Sequence, residues 1–214
     1  MRCLDRANHT ALWLERIREL GVPKAWQAGE VFQQVLSRLA EGESALLPLG
    51  YLGSKDKVAL GRDVMLAGTW GAFALVVERT SVSDCTVAVC ASGGDGLQYH
   101  PRATDGDKVK AAPIVLRGVP LGRVTEPAFT SLLQQLYLVP AMLGSQPQFR
   151  ILYEVLLPFL TNGKSVAHAA AQVDDALYST AQRVPESRVR TCMSATRYLL
   201  LAGGLTRQRH KELM

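Results

Sequence analysis

The residue best suited to covalent chemistry in this sequence is Cys192, which follows the basic run Arg188-Val189-Arg190-Thr191. A final helix is predicted from about Glu186 to Ala202, and it would carry this cysteine in its N-terminal part. The positive end of a helix dipole and two nearby arginines favour a thiolate over a thiol. Cys192 is therefore the candidate nucleophile. A hydrolase built on it also needs a base and a group that orients the base.

The candidate base is His100, and the candidate orienting residue is Asp95. Both belong to the segment 92–101, which contains Gly93-Gly94-Asp95-Gly96 and follows a predicted hairpin. If the protein is active, its catalytic set is Cys192, His100 and Asp95. Each residue also has a structural interpretation, because a helix cysteine is commonly a small buried hydrophobe and Gly-rich strings commonly form tight loops.

Three short segments together resemble the papain-like cysteine hydrolases in a permuted order. They are Leu47-Pro48-Leu49-Gly50-Tyr51, then Trp70–Glu78 of the predicted hairpin followed by Ser92–Pro101, and last Arg188–Cys192, which enters the final helix. The resemblance implies a helix-borne cysteine that faces a strand-borne histidine. It also implies an asparagine or aspartate on the following strand.

The sequence departs from that pattern at the base. Ala72 or Phe73 occupies the place where the resemblance implies a histidine, and the orienting residue falls near Ser92, with Asp95 as a substitute. His100 is the nearest remaining imidazole. The resemblance therefore implies a degenerate site rather than an intact one.

We accordingly expect a non-enzymatic protein-binding domain, a pseudoenzyme that acts as a subunit or adaptor. The alternative is an active cysteine peptidase or deubiquitinase-like hydrolase that uses Cys192 and His100. A second alternative is a basic structural subunit of a ribonucleoprotein assembly, because the net charge is +5 and basic residues are dense near the C-terminus. Those residues are Arg183, Arg188, Arg190, Arg197, Arg207, Arg209 and Lys211.

Motifs for cofactors and metals are missing from the sequence. Gly50-Tyr51-Leu52-Gly53-Ser54-Lys55 is not a phosphate-binding GxxxxGK[ST] loop, and GxGxxG and GxSxG strings do not occur. His9, His100, His168 and His210 are not paired at metal-ligand spacing. We therefore expect neither a cofactor nor a bound metal.

Apolar spacing predicts the elements that would position these residues. Helices are predicted at 10–20 and 28–40, strands at 70–78, 84–91 and 112–117, and a loop at Arg102–Lys110. The last ninety residues are predicted to be helical, and residues 151, 152, 155, 156 and 159 form one of their apolar faces. Five of their apolar residues are expected in the core: Leu132, Leu136, Leu152, Val155 and Leu156.

Helices, then strands, then helices predict an α+β fold with a small antiparallel sheet packed against several helices. We expect one domain of 214 residues, with a helical part at 1–42, a sheet region at 43–120 and a helical part at 125–214. Such a length is sufficient to bury a core without disulfides.

The composition predicts a soluble, intracellular, cytoplasmic protein that does not enter a membrane. No apolar run reaches the ~18 residues that a membrane span needs, and the N-terminal helix mixes arginines with acidic residues, unlike a signal peptide. Cys3, Cys85, Cys90 and Cys192 form no CxxC pair, so all four are expected to be free thiols.

Overall fold

A computed structural model describes residues 28–52, 70–91, 95–105, 108–138, 150–163, 179–181 and 198. Its strands are β1 (Ser44–Leu52), β2 (Trp70–Arg79), β3 (Asp84–Ala91), β4 (Arg102–Asp105), β5 (Lys108–Ala111), β6 (Ile114–Pro120) and β7 (Ser179–Ala181). Its helices are α1 (Ala28–Arg38), a 3-10 helix (Asp95–Tyr99), α2 (Leu121–Thr125), α3 (Pro127–Leu138), a π-helical segment (Ile151–Leu156) and α4 (Leu157–Leu160).

The central sheet is antiparallel and has the strand order β1-β2-β3-β6. The predicted hairpin of β2 and β3 is confirmed, and the third predicted strand is confirmed with its start moved to Ile114. The helix predicted at 28–40 is confirmed as α1, whereas the helix predicted at 10–20 lies outside the described residues. This antiparallel sheet with helices is an α+β architecture.

One face of the sheet packs against α1, α3, the π segment and α4. Strand residues alternate between the two faces, and in the described parts of β1, β2 and β3 alternate side chains enter this core. Burying these apolar side chains is the main force that joins the helices to the sheet. The core side chains include Phe32, Leu36, Leu47, Leu49, Phe73, Leu75, Val77, Val87, Val89, Ile114, Leu116, Phe129, Leu133, Leu136, Leu152, Leu156 and Leu160.

The opposite face of the sheet carries smaller side chains. Ala74 and Val76 of β2 and Ala88 and Cys90 of β3 form a second buried cluster, and Tyr198 packs in it. Residue 198 falls within the predicted final helix and is itself helical. Its neighbours lie outside the described residues.

Two predictions for the chain beyond β3 are wrong. The stretch predicted as a loop at Arg102–Lys110 forms most of the hairpin β4–β5, and that hairpin pairs with β7 in a second, three-stranded sheet. β7 also places a short strand in the C-terminal part, 125–214, which was predicted to be helical. Backbone pairing between distant segments formed these strands despite their polar composition, which local propensity does not anticipate.

The apolar stripe predicted for residues 151–159 has the right period but the wrong starting residue. The predicted face was 151, 152, 155, 156 and 159, whereas the buried residues are Leu152, Tyr153, Leu156, Leu157 and Leu160. Leu136, Leu152 and Leu156 are buried as predicted, and Leu132 is partly buried against the core. Val155 is 49% exposed, so its predicted core position is wrong.

At the β2–β3 loop the sheet ends in a set of polar contacts made by Arg79 and Asp84. We name this end of the sheet the turn end. The Arg79 guanidinium donates to the carbonyls of Leu39 at 2.7 Å and of Ser81 and Val82 at 3.1 Å each. The Asp84 carboxylate accepts hydrogen bonds from the hydroxyls of Ser81 and Ser83. These contacts join the loop to the end of α1.

Two glycines with left-handed backbones shape the same end of the sheet. Gly42 has φ 80° and donates its N–H to the Arg79 carbonyl, and Gly118 has φ 64°. The β3–β6 register shifts beside Gly118, which adds one residue to β6 as a β-bulge. Because of this extra residue, Leu116 and Val119 face the same core although they are three residues apart.

Pro48 lies in the middle of β1, opposite Ala74. The Arg79 N–H donates to the Glu43 carbonyl, which continues the ladder one pair beyond Ser44–Glu78. Bonded pairs alternate in an antiparallel ladder, so the N–H positions of residues 44, 46, 48 and 50 point away from β2. The missing N–H of proline therefore falls on the outer side of β1, where it breaks no bond to β2.

Candidate functional site

His100 is buried at the end of the sheet opposite the turn end, which we name the His100 end. It lies between the 3-10 helix and β4, where Pro101 accepts a backbone hydrogen bond from Ala112 at the other foot of the β4–β5 hairpin. His100 Nδ1 lies 2.9 Å from the Ala112 carbonyl oxygen, and Nε2 lies 2.8 Å from the Tyr153 hydroxyl. The ring thus connects the hairpin to the π segment.

These two contacts fix the tautomer of the neutral ring. A carbonyl oxygen can only accept, so Nδ1 carries the proton and donates it to Ala112. Nε2 then has a lone pair, which accepts the Tyr153 hydroxyl proton. Both ring nitrogens are occupied by the protein itself.

Burial lowers the pKa of His100 from 6.5 to about 4, although the hydrogen bond to the Ala112 carbonyl opposes the shift. At pH 7 the protonated fraction of such a ring is about 0.1%. A cysteine–histidine hydrolase needs an imidazole that accepts the thiol proton and holds it. Nε2 would have to give up the Tyr153 hydroxyl to do so.

A pair of stacked tyrosines covers the ring. Tyr99 and Tyr153 have ring centroids 4.5 Å apart at an angle of 3°, and Tyr153 meets His100 edge-on. The Tyr99 hydroxyl donates to Glu154 Oε1 at 2.6 Å, and Arg150 Nε lies 3.8 Å from the same oxygen. Burial, followed by the hydrogen bond and charge of Glu154, raises the pKa of Tyr99.

The other members of the predicted site are not brought together within the described residues. Cys192 and Ser92 lie outside those residues, and so does His168. Asp95 begins the 3-10 helix, so the backbone of this residue is helical rather than part of an open loop. A site that combines Cys192, His100 and Asp95 therefore stays a prediction.

The strand position where the resemblance implies a histidine serves the core instead. Phe73 is 1% exposed and pairs with Ala91 at the end of β3. Its ring belongs to the cluster that packs against the helices. An imidazole would face the same apolar surroundings on this side of β2.

Two of the four cysteines can be located, and both are free thiols as predicted. Cys85 donates to the Val119 carbonyl, and Cys90 lies on the opposite face of the sheet. Burial raises the pKa of each thiol to about 12, and the charge of Asp84 adds to the shift at Cys85. Neither thiol is suited to nucleophilic chemistry at neutral pH. Cys3 lies outside the described residues.

Tyr153 is the residue of this site that the sequence prediction missed. The predicted apolar face does not include it, yet Tyr153 is buried in the core. A buried tyrosine normally finds a partner for its hydroxyl, and a buried histidine normally finds partners for both nitrogens. This general tendency predicts that both Tyr153 and His100 have hydrogen-bond partners when they are buried. It does not predict that they are each other's partners.

No protein-family model, curated protein or solved structure matches this chain. Within the described ranges, no group of three or more His, Cys, Asp or Glu side chains is arranged to hold a metal ion. In the same ranges, no helix is both long and apolar enough to cross a membrane. The basic residues of the predicted nucleic-acid surface, from Arg183 onward, all lie outside the part of the chain described by the structure.

Proposed function

We propose that this protein is a non-enzymatic protein-binding domain with a degenerate cysteine-hydrolase-like fold. The observation that carries the proposal is the use of His100 by the fold. Its Nδ1 and Nε2 already bond to Ala112 and Tyr153, and burial keeps the ring neutral. The imidazole that would serve as the base is thus a structural residue.

A partly exposed apolar stripe supports a binding role. Val155 is 49% exposed, and Ile151 and Phe159, at i−4 and i+4, are half-buried side chains that also pack against the core. Arg123 lies over the Phe159 ring, with its Cζ 4.9 Å from the ring centroid, and Arg150 stands at the start of the stripe. We propose that this stripe binds a protein partner that has apolar side chains flanked by acidic residues.

Catalysis is tested with an electrophilic probe that labels active cysteine hydrolases, applied to the wild type, Cys192→Ser and His100→Gln. We expect no labelling of Cys192 beyond that of an ordinary thiol, and equal labelling in the wild type and His100→Gln. Rapid labelling at Cys192 that His100→Gln abolishes would establish the hydrolase alternative and refute the proposal. Folding of each variant is checked by circular dichroism.

Binding is tested by a matched pair of surface substitutions, Val155→Arg and Val82→Arg. Both residues are exposed, but Val82 lies in the β2–β3 loop at the turn end. We expect a stoichiometric protein partner, identified with the tagged wild type and then purified, to bind Val82→Arg normally and to lose at least tenfold in affinity for Val155→Arg. Equal binding by both variants would place any interface elsewhere. Release of the bound partner by ribonuclease would favour a nucleic-acid assembly instead.

A further inference from the structure

We propose that the contact between His100, Ala112 and Tyr153 is an acid-sensitive latch, which holds segment 150–163 on the sheet while the ring is neutral and loosens it when the ring is protonated. This inference does not rest on the proposed binding function. It concerns how the fold responds to a proton.

The latch joins two parts of the chain that are far apart in sequence. His100 precedes β4, whereas Tyr153 lies in the π segment 53 residues later. The same ring bonds to Ala112, just before β6 of the central sheet. A change in this one side chain therefore acts on the docking of the π segment and on the β4–β5 hairpin together.

Protonation changes the hydrogen bonding at Nε2. In the neutral ring this nitrogen accepts the proton of the Tyr153 hydroxyl. In the imidazolium both nitrogens are donors, so the Tyr153 hydroxyl must turn its own proton away. The new charge would also lie in the apolar interior between the sheet and the helices, where desolvation disfavours it.

The described groups around the ring do not include a carboxylate bonded to it. The π segment presents the Tyr153 hydroxyl to Nε2, and the linker before β6 presents the Ala112 carbonyl to Nδ1. On the preceding turn, Tyr99 stacks on Tyr153 and bonds to Glu154. The charges of Glu154 and Arg150 are paired with each other, and Arg102 bonds to the Gln98 carbonyl.

The direction of the pH effect follows from the lowered pKa. When the segment is open and the ring reaches water, the pKa of His100 takes its ordinary value of 6.5. When the segment is docked and the ring is buried, the pKa of His100 is about 4. The open state therefore binds the proton more tightly, and closure is favoured above pH 6.5 and progressively lost as the pH falls toward 4. Between about pH 7.5 and about pH 5, the opening equilibrium should rise about 30-fold.

The test is amide hydrogen exchange of residues 151–160 in the full chain at these two pH values, corrected for intrinsic exchange rates. We expect protection in the wild type to fall about 30-fold at the lower pH, and protection in His100→Gln to be the same at both. The other histidines remain in this variant, so they serve as the internal control. An unchanged wild type, or an equal pH effect in both proteins, would overturn the latch.

A second measurement keeps the test decisive if His100→Gln does not fold. Nitrogen-15 chemical shifts of the wild-type His100 ring report its protonation and tautomer directly. We expect a neutral ring with the proton on Nδ1 down to about pH 5. A ring that titrates with an ordinary pKa near 6.5, or that carries its proton on Nε2, would refute the latch.

Discussion

The two ends of the central sheet are held by polar side chains in opposite ways. At the turn end, Arg79 and Asp84 bond mainly to a neighbouring loop that is largely exposed to water, and Arg79 also bonds to the Leu39 carbonyl. At the His100 end, a buried ring bonds to Tyr153, which comes from a distant segment. Water can replace a lost bond at the first end but not at the second. The polar side chains of the turn end are therefore more tolerant of substitution than those of the His100 end.

The largest difference in the free energy of unfolding is expected between substitutions of two neighbouring residues, Leu156 and Val155, in the segment that contacts His100. Leu156→Ala removes a fully buried side chain and should lower the free energy of unfolding by about 2–5 kcal/mol. Val155→Ala should change it by less than about 0.5 kcal/mol, because that side chain is half exposed. Urea denaturation of both variants measures the difference. Equal losses of stability in the two variants would indicate that Val155 is a core residue, as the sequence predicted.

The hydroxyl groups of the two stacked tyrosines allow a buried and an exposed hydrogen bond to be compared directly. Tyr153→Phe leaves His100 Nε2 buried without a partner and should cost about 1–3 kcal/mol. Tyr99→Phe removes a bond to the exposed Glu154 and should cost less than about 1 kcal/mol. Thermal or urea unfolding at neutral pH checks the order of the two. A greater loss for Tyr99→Phe would contradict the assignment of His100 as the central contact.

The glycines near the turn end separate backbone strain from packing. An added Cβ meets no atom within 4 Å at either Gly118 or Gly122, so crowding is the same in both cases. Gly118→Ala should cost about 1–2 kcal/mol, because φ is 64° in the bulge. Gly122→Ala, within α2, should be neutral or stabilising by up to about 1 kcal/mol. A cost at Gly122 equal to that at Gly118 would count against the bulge as the cause.

The smallest effect is expected at the tip of the β2–β3 loop. Val82 is 76% exposed, and the Arg79 side chain bonds to the Val82 carbonyl rather than to its side chain. Val82→Ser should therefore shift the free energy of unfolding by less than about 0.5 kcal/mol. A clear loss of stability in a urea titration would show that the turn end depends on this side chain.

The contrast between the ends also explains which parts of the fold were predictable. The β2–β3 hairpin was predicted correctly because β-branched and aromatic residues mark its strands and Thr80, Ser81 and Ser83 mark its loop. α1 was predicted from an apolar stripe of four residues, Phe32, Val35, Leu36 and Leu39. Three of them are buried, and Val35 is partly buried against the core. These signals are local, so a single sequence contains them.

The errors concern features that depend on distant partners. Two apolar stripes run along residues 151–160, and the one that is buried includes Tyr153, whose hydroxyl bonds to the distant His100. The β4–β5 hairpin has polar strands that are completed by pairing with β7. For the candidate site, the sequence identified His100 as notable but not its partners. The placement of Cys192 relative to His100 stays a prediction.

Pro48 has a consequence for how copies of this protein behave when crowded together. Among the strands that the structure describes, β1 is the last in the order of the central sheet, and an open strand edge can recruit strands from neighbouring molecules. An added strand would find no N–H at position 48, in the middle of the nine-residue row. An added strand therefore cannot form a continuous row of hydrogen bonds along β1, whereas the native pairing of β1 with β2 runs through Pro48. Pro48 therefore disfavours strand addition at the outer side of β1 without removing a hydrogen bond between β1 and β2.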